Sequence, residues 1–434
     1  MKQLYVFIAA LFITYSATAQ SLYFPPTSGT TWDTISPQSL NWCSDKINKL
    51  YSFLDTNKTR AFILLKDGKI VLEKYFGTHT QNSFWQWNSA AKGITSFMTG
   101  IAQQEGYLSI NDTSSKYLGK GWTKLTQPQE DKITIRHQLT MTTGLDDGVP
   151  DNYCTLDTCL IYKADPGTRW AYHNAPYTLL DSVIQMATGL SLNTYMNQKL
   201  KTPTGMTGLF VRVDYNNIYF SNARSMARFG LLLLNKGNWN GTPVLSDTAY
   251  FNQMTNTSQQ LNKSYGYLWW LNGKQNFMIP QSQIVFPGYL CPNAPADMFS
   301  AMGKDGQFLN VIPSTNMVWI RMGEAPENLL VPFLLNDQIW KYVNDLSCST
   351  TPVTEVDRSG FSFYPNPAKN EISIRSAQNI THIQLLNIQG QTVQTILQPG
   401  RSSTVDVSML AKGFYFVKTT FTNGASITGK LVKE

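Results

Sequence analysis

Strand-like alternation at both ends of a long first region, with helical periodicity between, most limits how this chain can fold. Ala61 to Phe76 alternates and breaks at Asp67-Gly68, which reads as a β-hairpin. Far downstream, Tyr265–Leu271, Asp297–Met302, Phe308–Ile312 and Met317–Met322 carry strand patterns. Between them the helical period dominates. An amphipathic helix opens at Ser89 and runs to about Glu105, where Gly106 stops it, and helical patterns recur over 133–145, 176–199 and 225–236. Two more helices are expected, from Trp42 to Leu54 and from Val331 to Leu346. Strands that come first and last suit one antiparallel sheet closed from both ends of the domain, with helices on its faces. The expected class is α+β: an antiparallel sheet flanked by helices, plus a helical subdomain.

After residue 348 the pattern changes. Ser349–Gly360 is a polar linker. Residues 361–434 alternate in short strands (Ile372–Ile374, Ile383–Leu386, Phe414–Lys418, Ile427–Leu431) separated by Asn-Pro, Gln-Gly and Asn-Gly turns, which predicts a small all-β, Ig-like sandwich. At the other end, Lys2, the apolar run Leu4–Ile13 and the small residues Ala17-Thr18-Ala19 read as a secretory signal. The expected layout is a signal peptide at 1–19, a catalytic domain at 20–348, a linker at 349–360 and a small β domain at 361–434.

With 42% hydrophobic and 15% charged residues, global disorder is excluded. The net charge of +7 is scattered, without a basic run, so nucleic acid is not an expected partner. No later run of eighteen apolar residues suggests a transmembrane segment in the mature chain. Export permits disulfides. Cys154 and Cys159 share one loop, and Cys43 and Cys348 can staple the first and last helices if these pack together, leaving Cys291 as the odd thiol. Only four histidines occur, at 79, 137, 173 and 382, without a His-Glu-x-x-His, so no metal is expected. Gly-x-Gly-x-x-Gly and phosphate-loop patterns are missing, and no cofactor is implied. Nor is there a Gly-x-Ser-x-Gly elbow, which disfavours an α/β-hydrolase.

Ser89-Ala90-Ala91-Lys92 carries the chemistry. A serine in the first turn of a helix sits where unpaired N–H groups favour developing negative charge. A lysine three residues on shares its face. Burying that amine depresses its pKa and lets it accept the serine proton. Ser89–Lys92 is the only Ser-x-x-Lys in the chain. On these four residues alone, an N-capping serine with a solvated lysine is the better reading.

The surrounding segment, Phe84-Trp-Gln-Trp-Asn-Ser-Ala-Ala-Lys-Gly-Ile-Thr-Ser96, resembles the nucleophile segment of the penicillin-binding-protein and β-lactamase superfamily of serine hydrolases. Ile133–Leu145 resembles that family's structural helix and turn, and Pro166-Gly-Thr-Arg-Trp-Ala-Tyr-His-Asn174 its Tyr-x-Asn motif. Tyr-x-Asn occurs six times here, but only the copy at Tyr172 has the preceding Pro-Gly-Thr-Arg-Trp. The resemblance covers roughly 36–346, and is greatest to the class C β-lactamase, esterase and aminohexanoate-oligomer hydrolase branch. It implies a β-lactamase/DD-peptidase-like fold in which Tyr172 relays a proton as base and then acid, its pKa lowered by Lys92, while Asn174 fixes Lys92 and the substrate. His173 points the other way along an extended segment, and His137 reads as structural. Trp87 and Trp170, beside these motifs, are expected to contact substrate, in keeping with the 12% aromatic share.

The family's third motif is matched by Ala301-Met302-Gly303 within Phe299–Gln307. It implies substrate contacts at Ala301, Met302 and Gly303, and an oxyanion hole from the backbone N–H groups of Ser89 and Lys304. Ala301 stands where penicillin-recognising relatives place a cation for the substrate carboxylate, so an ester or amide lacking that carboxylate is favoured. The acidic loop Asp146–Cys159 either covers the cleft or is a surface excursion. In the tail, Phe363–Ala368, Ile383–Gln391 and Leu410–Val417 resemble the C-terminal sorting domain of type IX secretion, which implies passage through the periplasm, a secreted or cell-surface destination and the type IX machinery as partner. The expected function is an exported serine hydrolase acting through an acyl-enzyme. The alternatives are a catalytically silent binding protein on the same scaffold, and a D-Ala-D-Ala carboxypeptidase or β-lactamase.

Overall fold

The computed structural model describes residues 22–325, 329–348 and 361–434. The expected signal peptide and linker lie outside the described residues. The chain divides into two compact units, one ending at Cys348 and one beginning at Ser349.

In the first unit, helix α1 (Ser44–Thr56) leads into the hairpin β1 (Thr59–Lys66) and β2 (Lys69–Tyr75). A short strand β3 (Trp85–Gln86) precedes α2 (Lys92–Gln104), and α3 spans Asn174–Thr188. The hairpin β4 (Leu209–Val213) and β5 (Asn216–Ser221) is followed by α4 (Ala223–Leu234). The last strands are β6 (Trp270–Leu271), β7 (Phe299–Gly303), β8 (Gln307–Ile312) and β9 (Met317–Gly323), before α5 (Phe333–Asn344). The expected sheet forms in the order β2-β1-β9-β8-β7-β6, every pair antiparallel.

Its inner strands are mostly apolar because both faces are covered, and the polar residues that interrupt them, Ser300, Gln307, Asn310 and Arg321, are buried too. Helix α4 packs on β9, β8 and β1, while α1 packs against α5. Cys43 and Cys348 join the ends of α1 and α5 through a disulfide, and backbone bonds Cys43 N–H to Leu346 (3.0 Å) and Cys348 N–H to Asn41 (2.7 Å) run beside it. The second disulfide, Cys154–Cys159, closes the acidic loop, and Cys291 is a buried free thiol.

Several segments depart from expectation for backbone reasons. Only Trp270–Leu271 of the aromatic run pairs as a strand, because the chain reverses at Leu268, whose φ is +61°, and Gly266 N–H bonds back to Trp269. Over 133–145 the helix is confined to Ile135–Leu139. Thr134 and His137 cap it reciprocally, and Met141 turns left-handed just beyond it. The expected 176–199 helix starts at Asn174 and breaks at Gly189.

In the second unit, β10 (Phe361–Tyr364), β11 (Glu371–Leu386), β12 (Thr392–Asp406), β13 (Gly413–Phe421) and β14 (Ser426–Lys433) form one five-stranded sheet. The runs Ile372–Ile374 and Ile383–Leu386 are two halves of the single strand β11, with an irregularity between Arg375 and Ile380. The first half pairs β10 and the second pairs β13 on the same side, so the sheet curls around Ile372, Ile374, Ile383, Leu385, Val417 and Leu431. Among the described residues, no helix is long and apolar enough to cross a membrane.

Candidate active site

Strand β3 pairs with β5 at Ser221 and Phe220, and Trp87 N–H continues the contact to Tyr219 (2.8 Å). Asn88 then adopts a left-handed backbone (φ +47°), and a 3₁₀ turn over Asn88–Ala91 feeds α2 at Lys92. Ser89 thus sits in the turn and Lys92 at the head of the helix, one turn apart. Lys92 Nζ lies 2.8 Å from Ser89 Oγ and 2.9 Å from Asn174 Oδ1. Asn174 heads α3 and is itself held by its Nδ2, which donates to Asn152 Oδ1 (3.0 Å) in the acidic loop, two residues before the Cys154–Cys159 disulfide.

The amine is almost wholly buried, 2% exposed. It lies 3.8 Å from the ring centre of Tyr177 and 4.8 Å from that of Tyr172. Ring faces favour a cation, yet burial outweighs them and holds the Lys92 pKa well below the lysine range. Gly93, the next residue, leaves the space that the Trp269 ring occupies; a Cβ there would stand 2.5 Å from it.

Tyr172 is buried, and its hydroxyl has no hydrogen-bond partner among the described residues. Burial pushes its pKa up, while the nearby Ser89 hydroxyl acts the other way. The expectation that Lys92 lowers this pKa is not met: burial, which raises it, is the largest cause, and what opposes it is the Ser89 hydroxyl, not the Lys92 amine. Trp170 backs Tyr172 with an indole 1% exposed, edge-on to Tyr265 and Trp270, so it supports the phenol from behind and does not face substrate. His173 is buried, and desolvation beside Arg169, against Asp147 and Asp146, pushes its pKa down to about 4. His137 is the helix-capping residue described above.

The end of β7 packs directly on the nucleophile turn. A Cβ on Gly303 would meet Trp87 O at 2.6 Å, Ala90 N at 2.8 Å and Ser89 N at 3.0 Å, so only glycine permits this approach. Side chains alternate along a strand. Ala301 therefore shares the Gly303 side, while Met302 points the other way, its sulfur 3.3 Å from Asn336 Nδ2 on α5. Met302 is core and not a cleft residue. The same correction holds for Trp87, whose buried indole packs edge-on to Tyr219 and donates to Ser221 Oγ (2.8 Å). Sequence proximity to the motifs did not reveal which face these side chains take.

A cleft of about 190 Å³ opens over Ser89 and Lys92, walled by Asn88, Tyr153, Tyr177, Asn216, Asn217 and Lys304, with Ile218 beside them. Most of this wall went unread in the sequence. Tyr153 arrives on the acidic loop, which therefore reaches the cleft, and Asn216 and Asn217 come from the start of β5. Asn217 Nδ2 is held 2.5 Å from Asp181 Oδ2, and burial raises that carboxyl to about 7. Tyr215-Asn216-Asn217, one of the six Tyr-x-Asn copies, was the available signal. Among the described residues, no His/Cys/Asp/Glu cluster could hold a metal ion.

A family model described as beta-lactamase matches residues 58–339, and one described as a secretion system C-terminal sorting domain matches residues 362–434. An uncharacterized protein of Alkalihalophilus pseudofirmus is 24% identical over 313 residues, 63% of this chain and 86% of its own. A beta-lactamase of Escherichia coli is 27% identical over 141 residues, 31% of this chain and 36% of its own. Among solved structures, a penicillin-binding protein homolog from Caulobacter crescentus superposes with a TM-score of 0.54 at 12% identity, covering 70% of this chain and 98% of that one. The octameric penicillin-binding protein homologue from Pyrococcus abyssi gives 0.50 at 14% identity, with 89% and 96% covered. At these identities the solved structures speak for the fold. The tail match marks residues 362–434 as a sorting domain for secretion or the cell surface.

Proposed function

The chain belongs to the beta-lactamase family, and from that premise we propose that it is an exported serine hydrolase that opens small esters or amides through an acyl-enzyme on Ser89. The carrying observation is the buried amine of Lys92, 2.8 Å from the Ser89 hydroxyl. Desolvation disfavours its charged form, which supports its taking the serine proton as Oγ bonds to the substrate carbonyl. The backbone N–H groups of Ser89 and Lys304 receive the negative charge on the carbonyl oxygen.

Tyr172 then enters as an acid. Its phenol starts protonated, because burial raises its pKa. Once Lys92 has become an ammonium 4.8 Å from that ring, loss of the phenol proton is favoured. The proton goes to the leaving oxygen or nitrogen as its bond to carbon breaks, and Lys92 returns one to the phenolate. Water attacks the acyl group by the reverse route, with Lys92 and Tyr172 resuming their starting states. Asn174 orients Lys92 throughout.

The cleft wall offers neutral donors and acceptors from amides (Asn88, Asn216, Asn217) and phenols (Tyr153, Tyr177), with Lys304 beside them. In sequence, Ala301 stands where penicillin-recognising relatives place a cation for the substrate carboxylate, which supports a substrate lacking that carboxylate. The sorting domain supports export by the type IX machinery, with the tail removed or used as an anchor afterwards.

A fluorophosphonate probe tests the enzyme reading. It should label wild type and fail on Ser89→Ala, and labelling at another residue ends the assignment in favour of a binding-only protein or a different nucleophile. Nitrocefin turnover should stay near background; brisk turnover would remove the argument from Ala301.

A further inference from the structure

We infer that Asn88 is a positioning residue that sets the spacing between the two oxyanion donors; this rests on the acyl-enzyme reading above. The donors belong to segments far apart in sequence, the nucleophile turn and the turn after β7. Gly303 lets the two backbones touch, but a touch does not fix how far Lys304 stands from Ser89.

Asn88 supplies the missing restraint. Its Nδ2 donates to Lys304 O at 2.9 Å and reaches Asp305 Oδ2 at 3.3 Å. The same Lys304 carbonyl accepts from Gln307 Nε2 at 3.3 Å. On the far side, the buried guanidinium of Arg321 donates to the carbonyls of Asp305 (3.1 Å) and Gly306 (2.7 Å). The turn is thus gripped from both sides.

Both gripped positions are conformationally costly. Asn88 (φ +47°) and Asp305 (φ +64°) occupy the left-handed region, which a non-glycine residue leaves unless its surroundings hold it. Asparagine tolerates that region better than most residues and also carries a donor. Alanine would keep the strain and lose the bonds. Glycine would keep the geometry without the bonds. Only asparagine supplies both, one residue before the nucleophile.

The test uses the full chain with p-nitrophenyl acetate and a fluorophosphonate. Asn88→Gly retains the backbone and deletes both bonds. It should lower kcat by about tenfold to a hundredfold, part of what losing a donor outright costs, with KM within about threefold and an unchanged thermal midpoint. Asn88→Asp keeps the left-handed tolerance but turns an acceptor toward the Lys304 carbonyl and the Asp305 carboxylate, so kcat should fall at least as far. Wild-type kcat in both variants, or a loss carried by KM, overturns the role. An unlabelled Ser89 in the wild type instead overturns the acyl-enzyme reading on which it stands.

Discussion

Replacing Lys92 with methionine should inactivate the protein and stabilise it. A buried lysine whose pKa is held down costs the folded state about 1.4 kcal/mol for each unit of depression below the unfolded value near 10.4, at any pH between the two. Burial is the cause that holds the Lys92 pKa down. Its bonds to Ser89 and Asn174 offset about 1–3 kcal/mol of this. Methionine fills the same length without the penalty, and exchanging a buried ionisable group for an apolar one typically gains about 1–3 kcal/mol, so Lys92→Met should be the more stable at pH 7 even with the Asn174 oxygen left unpartnered. That raises the thermal midpoint by about 1–4 °C. The sign with pH is fixed. Below about pH 10.4 the unfolded chain binds a lysine proton that the folded chain releases, so wild type grows more stable as pH rises, and the variant's advantage should fade by about pH 10. Circular-dichroism melts at pH 7 and pH 10 read the difference, and fluorophosphonate labelling reads the activity, expected to drop by about 10² or more. A variant that is less stable at pH 7, or whose offset does not change with pH, would refute the depressed Lys92 pKa.

Tyr172→Phe should lower ester turnover by about 10² or more while leaving the melting curve unchanged, since the hydroxyl makes no internal bond to lose; a destabilised variant would show that the phenol is structural. Met302→Leu should cost less than about 1.5 kcal/mol of stability and leave KM unaltered, because that side chain faces Asn336 and not the cleft; a changed KM returns Met302 to the site. Replacing Cys43 and Cys348 together by serine should lower unfolding free energy by about 2–5 kcal/mol in urea titration, with turnover at 25 °C preserved.

What could be read from the sequence was local or periodic. Ser89 and Lys92 lie one helical turn apart, so their meeting needs nothing beyond the helix. The hairpin at 59–75 and the strands at 299–323 were legible from alternation, and closing them into one sheet needed only the order of elements. Tyr172 was separable from five other Tyr-x-Asn copies only by its neighbours. Asn152, Tyr153, Asn216 and Asn217 were not legible, because loops and a hairpin start bring them to the cleft and no period predicts where those travel. Met302 is a different case: it was expected in the cleft, although strand alternation puts it on the face opposite Gly303. The direction of the Tyr172 shift depended on burial of two groups at once, a property of packing that neither motif encodes.

The bond between Cys43 and Cys348 ties the last described residue of the first unit back to the beginning of its first helix. A protease that trims the polypeptide downstream of that point creates a new carboxyl end already moored to the body. Under the proposed export, removal of the sorting domain would leave the first unit no loose end from which to unzip. The staple would then make delivery and the proposed catalysis separable in time.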